Sequence, residues 1–138
     1  MRGSFRTSSE AETIALGRRI AAELPSKSVV LLIGNLGAGK TTLAKGIADG
    51  LGAAVPDEVS SPTFTLIHEF GDGRLYHIDL YRLEEPREVE TLGLGDLFDR
   101  EAVVLIEWGE RFPQLLPPDR IEIRLRALDN DEREIEIQ

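Results

Sequence analysis

The residues best suited to chemistry form a glycine-rich run that ends in a lysine and two threonines. Residues 34–41, Gly-Asn-Leu-Gly-Ala-Gly-Lys-Thr, match the pattern G-x-x-x-x-G-K-[ST]. Glycines let backbone N–H groups curl around an anion without Cβ clashes, and a helix that begins at the lysine adds the positive end of its dipole. The run therefore predicts a cradle for the phosphates of a nucleotide. The predicted binding residues are Asn35, Gly37, Ala38, Gly39, Lys40, Thr41 and Thr42.

The side chains at the end of this cradle have distinct expected roles. We expect Lys40 to place its charge between the β- and γ-phosphates, where it also serves catalysis. The Thr41 hydroxyl is expected to bind Mg²⁺, and Thr42 to reach the α-phosphate. Residues 29–33 (VVLLI) directly precede the cradle and are typical of a buried strand. This strand–turn–helix context favours a nucleotide site over a chance match to the pattern.

Two carboxylates follow apolar runs and are candidates for the metal and for catalysis. Glu107 ends residues 103–107 (VVLIE), which is the Walker B pattern with Glu in place of the usual Asp. Asp79 ends residues 76–79 (YHID). The carboxyl ends of parallel strands line the ligand crevice of an α/β sheet. We therefore expect Glu107 to bind Mg²⁺ and Asp79 to orient or activate the attacking water.

Three further residues are candidates for a nucleotide-dependent switch or a partner contact. Residues 60–65 (SSPTFT) lie between the cradle helix and the next strand, where GTPases carry a switch that orders around the γ-phosphate. Thr63 and Thr65 are the candidates there, and an ordinary Ser/Thr/Pro turn is the alternative. Trp108, the single tryptophan, directly follows Glu107 and is either a packing residue or a reporter of the nucleotide state.

Other arginines and histidines offer weaker candidates. Arg82 and Arg111 could each neutralise charge on the γ-phosphate, although a surface or salt-bridge role is more common for arginine. His68 and His77 fall in the strands of a hairpin without a cysteine or a third histidine, so we expect no zinc site. Residues 129–133 are a candidate flank for the base, by analogy with the late loops of similar folds.

The composition limits the classes of function. The chain has 138 residues, 41% hydrophobic and 30% charged, which is typical of a globular protein and predicts one domain over residues 1–138. Its net charge of −9 argues against direct binding of nucleic acid. Cysteine is absent, which excludes disulfides and thiolate chemistry. Without an export signal or an apolar run of about 18 residues, we expect a cytoplasmic protein with no membrane contact.

The apolar pattern indicates the elements that position these side chains. The expected elements are a helix at residues 9–24 that opens with a reciprocal capping box of Ser9 and Glu12, a buried strand at 29–33, a helix at 40–51, a hairpin of strands at 64–70 and 74–79, a short helix at 88–92 with Pro86 in its first turn, a buried strand at 102–106, and a terminal hairpin built on residues 121–125 and 135–137. Buried parallel strands flanked by helices, with antiparallel hairpins attached, predict a three-layer α/β fold of the P-loop NTPase type.

Four sequence blocks resemble the bacterial TsaE (YjeE) family of P-loop ATPases, which acts in tRNA threonylcarbamoyladenosine biosynthesis. The blocks are residues 34–42 (GNLGAGKTT), 61–66 (SPTFTL), 77–83 (HIDLYRL) and 106–108 (IEW), in family order and spacing. The glycine-rich run is shared by many unrelated enzymes, whereas the last two blocks are specific to the family. The resemblance extends to the capped N-terminal helix and so covers nearly the whole chain.

This resemblance implies properties that the composition does not reach. Members of the family hydrolyse ATP slowly, act with TsaD and TsaB, and serve tRNA modification through that complex, which leaves tRNA contact indirect. The resemblance assigns nucleotide binding to residues 37–42, magnesium to Thr41 and Glu107, and a role in hydrolysis to Asp79. It places Trp108 near the nucleotide-responsive region. The preference for ATP also rests on it, and the absence of an Asn-Lys-x-Asp guanine motif agrees.

Two other functions fit the same residues. A small-molecule kinase would need a lid with arginines and an acceptor pocket, and the only insertion available is at residues 83–100, where Arg87 and Arg100 are outnumbered by acids. A non-catalytic, nucleotide-dependent binding module would keep its ATP binding unchanged in Asp79→Ala, and this variant would lose no activity in a reconstituted modification assay. Release of phosphate from ATP without an acceptor would separate an ATPase from a kinase.

Overall fold

A seven-stranded sheet runs through the computed structural model, which describes residues 1–60 and 66–138. The strands are β1 (Gly3–Thr7), β2 (Ser28–Ile33), β3 (Ile67–Phe70), β4 (Leu75–Asp79), β5 (Val103–Glu107), β6 (Ile121–Ala127) and β7 (Arg133–Ile137). The helices are α1 (Glu10–Glu23), α2 (Lys40–Gly50), α3 (Pro86–Glu90) and α4 (Leu94–Phe98). Short 3₁₀ turns lie at Pro56–Glu58, Gly109–Arg111 and Pro113–Leu115.

The centre of the sheet is parallel and its edges are antiparallel. The strand order is β1-β7-β6-β2-β5-β4-β3, in which β6, β2, β5 and β4 run parallel. The pairs β1–β7, β6–β7 and β3–β4 are antiparallel. β2 and β5 are rich in Val, Leu and Ile because the central strands of a parallel sheet are covered on both faces. The predicted α/β fold around a mainly parallel sheet is confirmed.

Helices cover both faces of this sheet. Val30 and Leu32 of β2 pack in one apolar cluster with residues of α1 and α2. Leu31, which lies between them, packs on the other face with residues of α3, α4 and the segment 112–116. The side chains of a strand alternate between faces, so β2, β4 and β5 each contribute to both clusters and the protein has three layers.

Helix α1 crosses α2 at glycines of both helices. A Cβ added to Gly46 would lie 2.1 Å from the carbonyl oxygen of Ile14 and 2.9 Å from Cα of Gly17. A Cβ added to Gly17 would lie 2.6 Å from the carbonyl oxygen of Leu43. All three separations are shorter than real Cβ contacts allow, so any larger side chain would push the helices apart. The crossing therefore fixes the position of α2, the helix that follows the glycine-rich run.

The differences from the predicted elements concern short segments. The apolar pattern predicts neither β1, a polar edge strand that pairs Ser4 with Glu136 of β7, nor α4, which has five residues. The strand expected at 64–70 is observed as β3, which begins at Ile67, and residues 64 and 65 lie outside the described part of the chain. The short helix expected over residues 88–92, with Pro86 in its first turn, is observed as α3, which begins at Pro86 and ends two residues early, at Glu90.

Two further observations concern the helices. Ser9 caps α1 as predicted, with Glu12 N donating to Ser9 Oγ at 3.1 Å. The Glu12 carboxylate accepts from Ser8 N at 2.8 Å, one residue earlier than in the expected reciprocal arrangement. None of the helices in residues 1–60 and 66–138 has both the length and the apolar character needed to span a bilayer.

Candidate functional site

The loop between β2 and α2 has the backbone of a phosphate-binding loop. Gly37 and Gly39 have φ values of +81° and +104°, a region in which a side chain is strained. Lys40 begins α2, and its Nζ donates a hydrogen bond to the carbonyl oxygen of Gly34 at 2.7 Å. The loop therefore closes on itself, and the free N–H groups at the start of α2 are available to an anion.

Two carboxylates lie beside this loop, at the carboxyl ends of neighbouring parallel strands. Asp79 of β4 and Glu107 of β5 are register partners, so both lie on the sheet face that α2 covers. Asp79 is 5% exposed and Glu107 is 3% exposed. Thr41 Oγ1 donates to Glu107 Oε2 at 3.2 Å, and Tyr81 N donates to Asp79 Oδ1 at 2.8 Å. The arrangement puts hydroxyl and carboxylate oxygens together at one end of the sheet.

These groups line one cavity of about 380 Å³, a volume that suits the phosphates of a nucleotide. Of the predicted site residues, the cavity brings together Gly37, Gly39, Lys40, Thr41, Thr42, Asp79, Glu107 and Trp108. It does not bring in Asn35, which lines a separate cavity with Gly34, or Ala38, which is buried. The predicted switch residues Thr63 and Thr65 lie outside the described residues.

Lys40 and Trp108, which both line this cavity, are in contact. Lys40 Nζ lies 3.6 Å from the centre of the indole ring, a cation–π contact, and Trp108 adopts a left-handed φ of +64° directly after β5. Desolvation by burial lowers the pKa of Lys40, and the nearby carboxylates of Glu107, Glu110 and Asp79 oppose that shift. The acids therefore favour the charged ammonium that a phosphate would need.

Two residues near the site have roles that the sequence pattern does not predict. His77 Nε2 lies 2.5 Å from Glu107 Oε2, in a pair that is almost fully buried. Arg111 Nη2 donates to the carbonyl oxygens of Leu80 and Tyr81 at 2.6 and 2.7 Å, directly after Asp79. Arg111 therefore binds the main chain of the two residues that follow β4. His77 belongs to the block at residues 77–83, but its contact with Glu107 depends on the register of β4 on β5, and Arg111 lies outside all four blocks.

A second cavity, of about 330 Å³, lies next to the first and shares Gly39, Thr42 and Arg133 with it. Its other lining residues come from the β1–α1 junction and from the β6–β7 turn: Ser8, Ser9, Glu10, Thr13 and Asp131. The two cavities meet at Thr42, where we expect the α-phosphate. This position confirms that the turn expected to flank a base lies beside the cradle, although contact with a base stays a prediction.

A glycine-rich loop between a buried parallel strand and a helix, faced by acids at the ends of two neighbouring strands, defines an α/β protein of the P-loop NTPase type. A family model described as "Threonylcarbamoyl adenosine biosynthesis protein TsaE" matches residues 7–135. The chain therefore belongs to the TsaE family.

Individual relatives agree with this assignment. The tRNA threonylcarbamoyladenosine biosynthesis protein TsaE of Bacillus subtilis is 44% identical over 133 residues, which are 95% of this chain and 82% of that protein. The protein of the same name from a Nostoc species is 44% identical over 131 residues, covering 91% and 78% of the two chains. The crystal structure of Bacillus subtilis YdiB matches with a TM-score of 0.79 at 37% identity, covering 99% of this chain and 84% of that one.

Proposed function

We propose that this member of the TsaE family binds and hydrolyses ATP in the presence of Mg²⁺, and that hydrolysis supports turnover of a tRNA-modifying complex with TsaD and TsaB. The observation that carries the proposal is the convergence of Lys40, Thr41, Asp79 and Glu107 on one cavity beside the glycine-rich loop. These are the cation, hydroxyl and carboxylates that phosphoryl transfer requires.

Binding of the triphosphate follows from the loop and its lysine. The phosphates would lie against the N–H groups of the loop and of the first turn of α2, with Thr42 at the α-phosphate. Lys40 would leave the carbonyl oxygen of Gly34 and the face of Trp108 to contact the β- and γ-phosphates. The nucleoside would extend into the second cavity, between the β1–α1 junction and the turn that carries Asp131 and Arg133. The preference for adenine rests on the family.

The donor set beside the loop fits Mg²⁺. This ion prefers oxygen ligands and is usually held by one or two carboxylates together with substrate phosphates. Thr41 Oγ1 and Glu107 Oε2, already 3.2 Å apart, supply a hydroxyl and a carboxylate of that kind. When bound there, Mg²⁺ would neutralise charge on the phosphate oxygens.

Asp79 is the residue we propose for the water. Its carboxylate lines the phosphate cavity and is held by the N–H of Tyr81, so it lies at a fixed position beside the expected γ-phosphate. The water oxygen bonds to the γ-phosphorus as the bond to the β,γ-bridging oxygen breaks, and the water proton passes to Asp79. The products are ADP and inorganic phosphate.

The test compares nucleotide binding and phosphate release in three variants. Lys40→Ala should lose tight binding of ATP and ADP, because the loop then has no cation at the β- and γ-phosphates. Asp79→Asn should keep binding and lose most hydrolysis. Lys45→Ala, on the same helix but outside the cavity lining, is the control and should behave as wild type. Phosphate release that requires an added alcohol or acid acceptor would contradict the ATPase and support a kinase.

The proposed partners need a separate experiment. Affinity capture of TsaD and TsaB with this chain as bait, with and without ATP, should show nucleotide-dependent association. We propose that tRNA is reached only through this complex, in the cytoplasm, since a net charge of −9 disfavours direct binding of RNA. Direct, salt-sensitive binding of tRNA by the isolated chain would contradict this.

A further inference from the structure

His77 occupies a place in the protein where packing alone would favour an apolar residue. It lies in the middle of β4, fully buried, and its neighbours in the sheet register are Leu105 of β5 and His68 of β3. Leu75, two residues earlier on the same face, belongs to the apolar cluster under α1 and α2. A polar ring in such surroundings costs free energy unless its hydrogen bonds are made.

The imidazole of His77 forms one hydrogen bond, to the carboxylate of Glu107. Glu107 lies two residues beyond Leu105, so it is the diagonal neighbour of His77 across the β4–β5 pair. A carboxylate that binds a metal only accepts hydrogen bonds, so the tautomer of His77 that suits such a ligand carries its proton on Nε2, which lies 2.5 Å from Glu107 Oε2. Nδ1 of the same ring is buried without a hydrogen-bond partner among the described residues. The buried imidazole therefore has one nitrogen, Nδ1, without a hydrogen bond, while the other, Nε2, is bonded to Glu107.

The contact selects one orientation of the Glu107 side chain. Both hydrogen bonds that the described residues make to this carboxylate end on Oε2, one from His77 and one from Thr41 Oγ1 at 3.2 Å. Oε1 accepts no hydrogen bond from the described residues, and Glu107 lines the cavity beside the glycine-rich loop. Without the imidazole, the buried carboxylate could rotate about its last side-chain bonds, because Thr41 alone would hold it.

We propose that His77 is a positioning residue for the metal: it holds Glu107 in the orientation that binds Mg²⁺ beside the nucleotide. This inference rests on the proposed function. Residues that hydrogen-bond to metal ligands typically contribute about 10- to 100-fold to metal affinity. Loss of the His77 donor should therefore weaken the Mg²⁺-dependent part of nucleotide binding and leave the Mg²⁺-independent part almost unchanged.

The test replaces His77 with two residues, Gln and Asn, whose amide side chains differ only in length. The side-chain amide of Gln places its nitrogen near the position of Nε2, whereas that of Asn ends near Nδ1 and falls short of Glu107. His77→Gln and His77→Asn both bury a neutral polar group, so their effects on packing are comparable. His68→Asn makes the same change at the facing position of β3 and is the control. Urea unfolding of all variants identifies any general loss of stability.

The measurement is ADP binding by calorimetry, with EDTA and over a series of Mg²⁺ concentrations. His77→Asn should need about 10- to 100-fold more Mg²⁺ for half of the Mg²⁺-dependent gain in ADP affinity, with its affinity in EDTA within about twofold of wild type. His77→Gln should recover most of the loss, and His68→Asn should match wild type. Equal behaviour of the Asn and Gln variants, or equal losses with and without Mg²⁺, would overturn the positioning role.

Failure of this inference is distinguishable from failure of the proposed function. If wild type binds ADP with Mg²⁺ dependence and His77→Asn does the same, only the role of His77 is wrong. If wild-type binding does not respond to Mg²⁺, the metal site and the role of His77 fall together. If wild type does not bind ADP at all, the proposed nucleotide function is wrong as well.

Discussion

The glycine crossing of α1 and α2 makes a strong prediction about Gly46→Ala. In an ordinary helix interior, replacing glycine by alanine stabilises by about 1 kcal/mol. At Gly46 the new methyl group would lie 2.1 Å from the carbonyl oxygen of Ile14, so the helices must separate by roughly 1 Å to restore a normal contact. Overpacking of this kind costs about 1–3 kcal/mol, and more where the obstacle is backbone. We expect a net loss of about 2–3 kcal/mol.

The assay is urea unfolding followed by circular dichroism, with thermal unfolding alongside. For a chain of this length, a loss of 3 kcal/mol corresponds to a fall of about 10 °C in Tm. Gly95→Ala is the matched control, since Gly95 lies in α4 and a Cβ there would meet nothing within 4 Å. It should be neutral or stabilising. If Gly46→Ala were as stable as wild type, the two helices would not be in the close contact described, and the steric reasoning would be refuted.

Two further predictions concern the single tryptophan and the start of α3. Nucleotide binding should change Trp108 fluorescence, because the Lys40 ammonium, which lies 3.6 Å from the centre of the indole ring, would move away from it to contact the phosphates. Lys40→Ala should alter the emission without nucleotide and abolish the response to nucleotide. An unchanged emission of wild type at saturating ADP would contradict this movement of Lys40. Hydrogen bonds from the N–H groups of Glu85 and Glu84 lower the pKa of Glu88, so its ionised form stabilises the fold at neutral pH and this contribution is lost as the pH falls through the lowered pKa. Glu88→Gln should therefore lower the urea midpoint at pH 7 and make little difference in acid. Unfolding of both proteins across this pH range checks the prediction, and an equal loss at neutral and acid pH would contradict it.

The parts that could be predicted from sequence are those with local signals. The glycine-rich run, its preceding strand and its helix form one contiguous motif, and the apolar run ending in Glu107 has the period and length of a buried strand. The terminal hairpin follows from strict alternation around a polar turn. These elements already place Lys40, Thr41 and Glu107 at the same end of a sheet.

The rest depends on relations between distant segments. β1 is short and polar, and it becomes a strand because β7 offers it an edge to pair with. The bond between His77 and Glu107 requires the register of β4 on β5, which is not encoded in either strand alone. The contact between Lys40 and Trp108 requires a left-handed turn at a tryptophan, for which the sequence carries no signal.

The shared register of Asp79 and Glu107 also bears on how the chain selects its fold. All residues of β4 and β5 are buried. The register of this pair is therefore not specified by a difference between a solvent-exposed face and a buried face. A slip of one residue would turn one of the carboxylates into the apolar layer beneath α3 and α4, among buried residues such as Ile78 and Ile106, where burial of a charge is costly. The polar residues of the site thus exclude misaligned pairings of the central strands, and mutations that neutralise both acids would relax the alignment of the sheet as well as the chemistry.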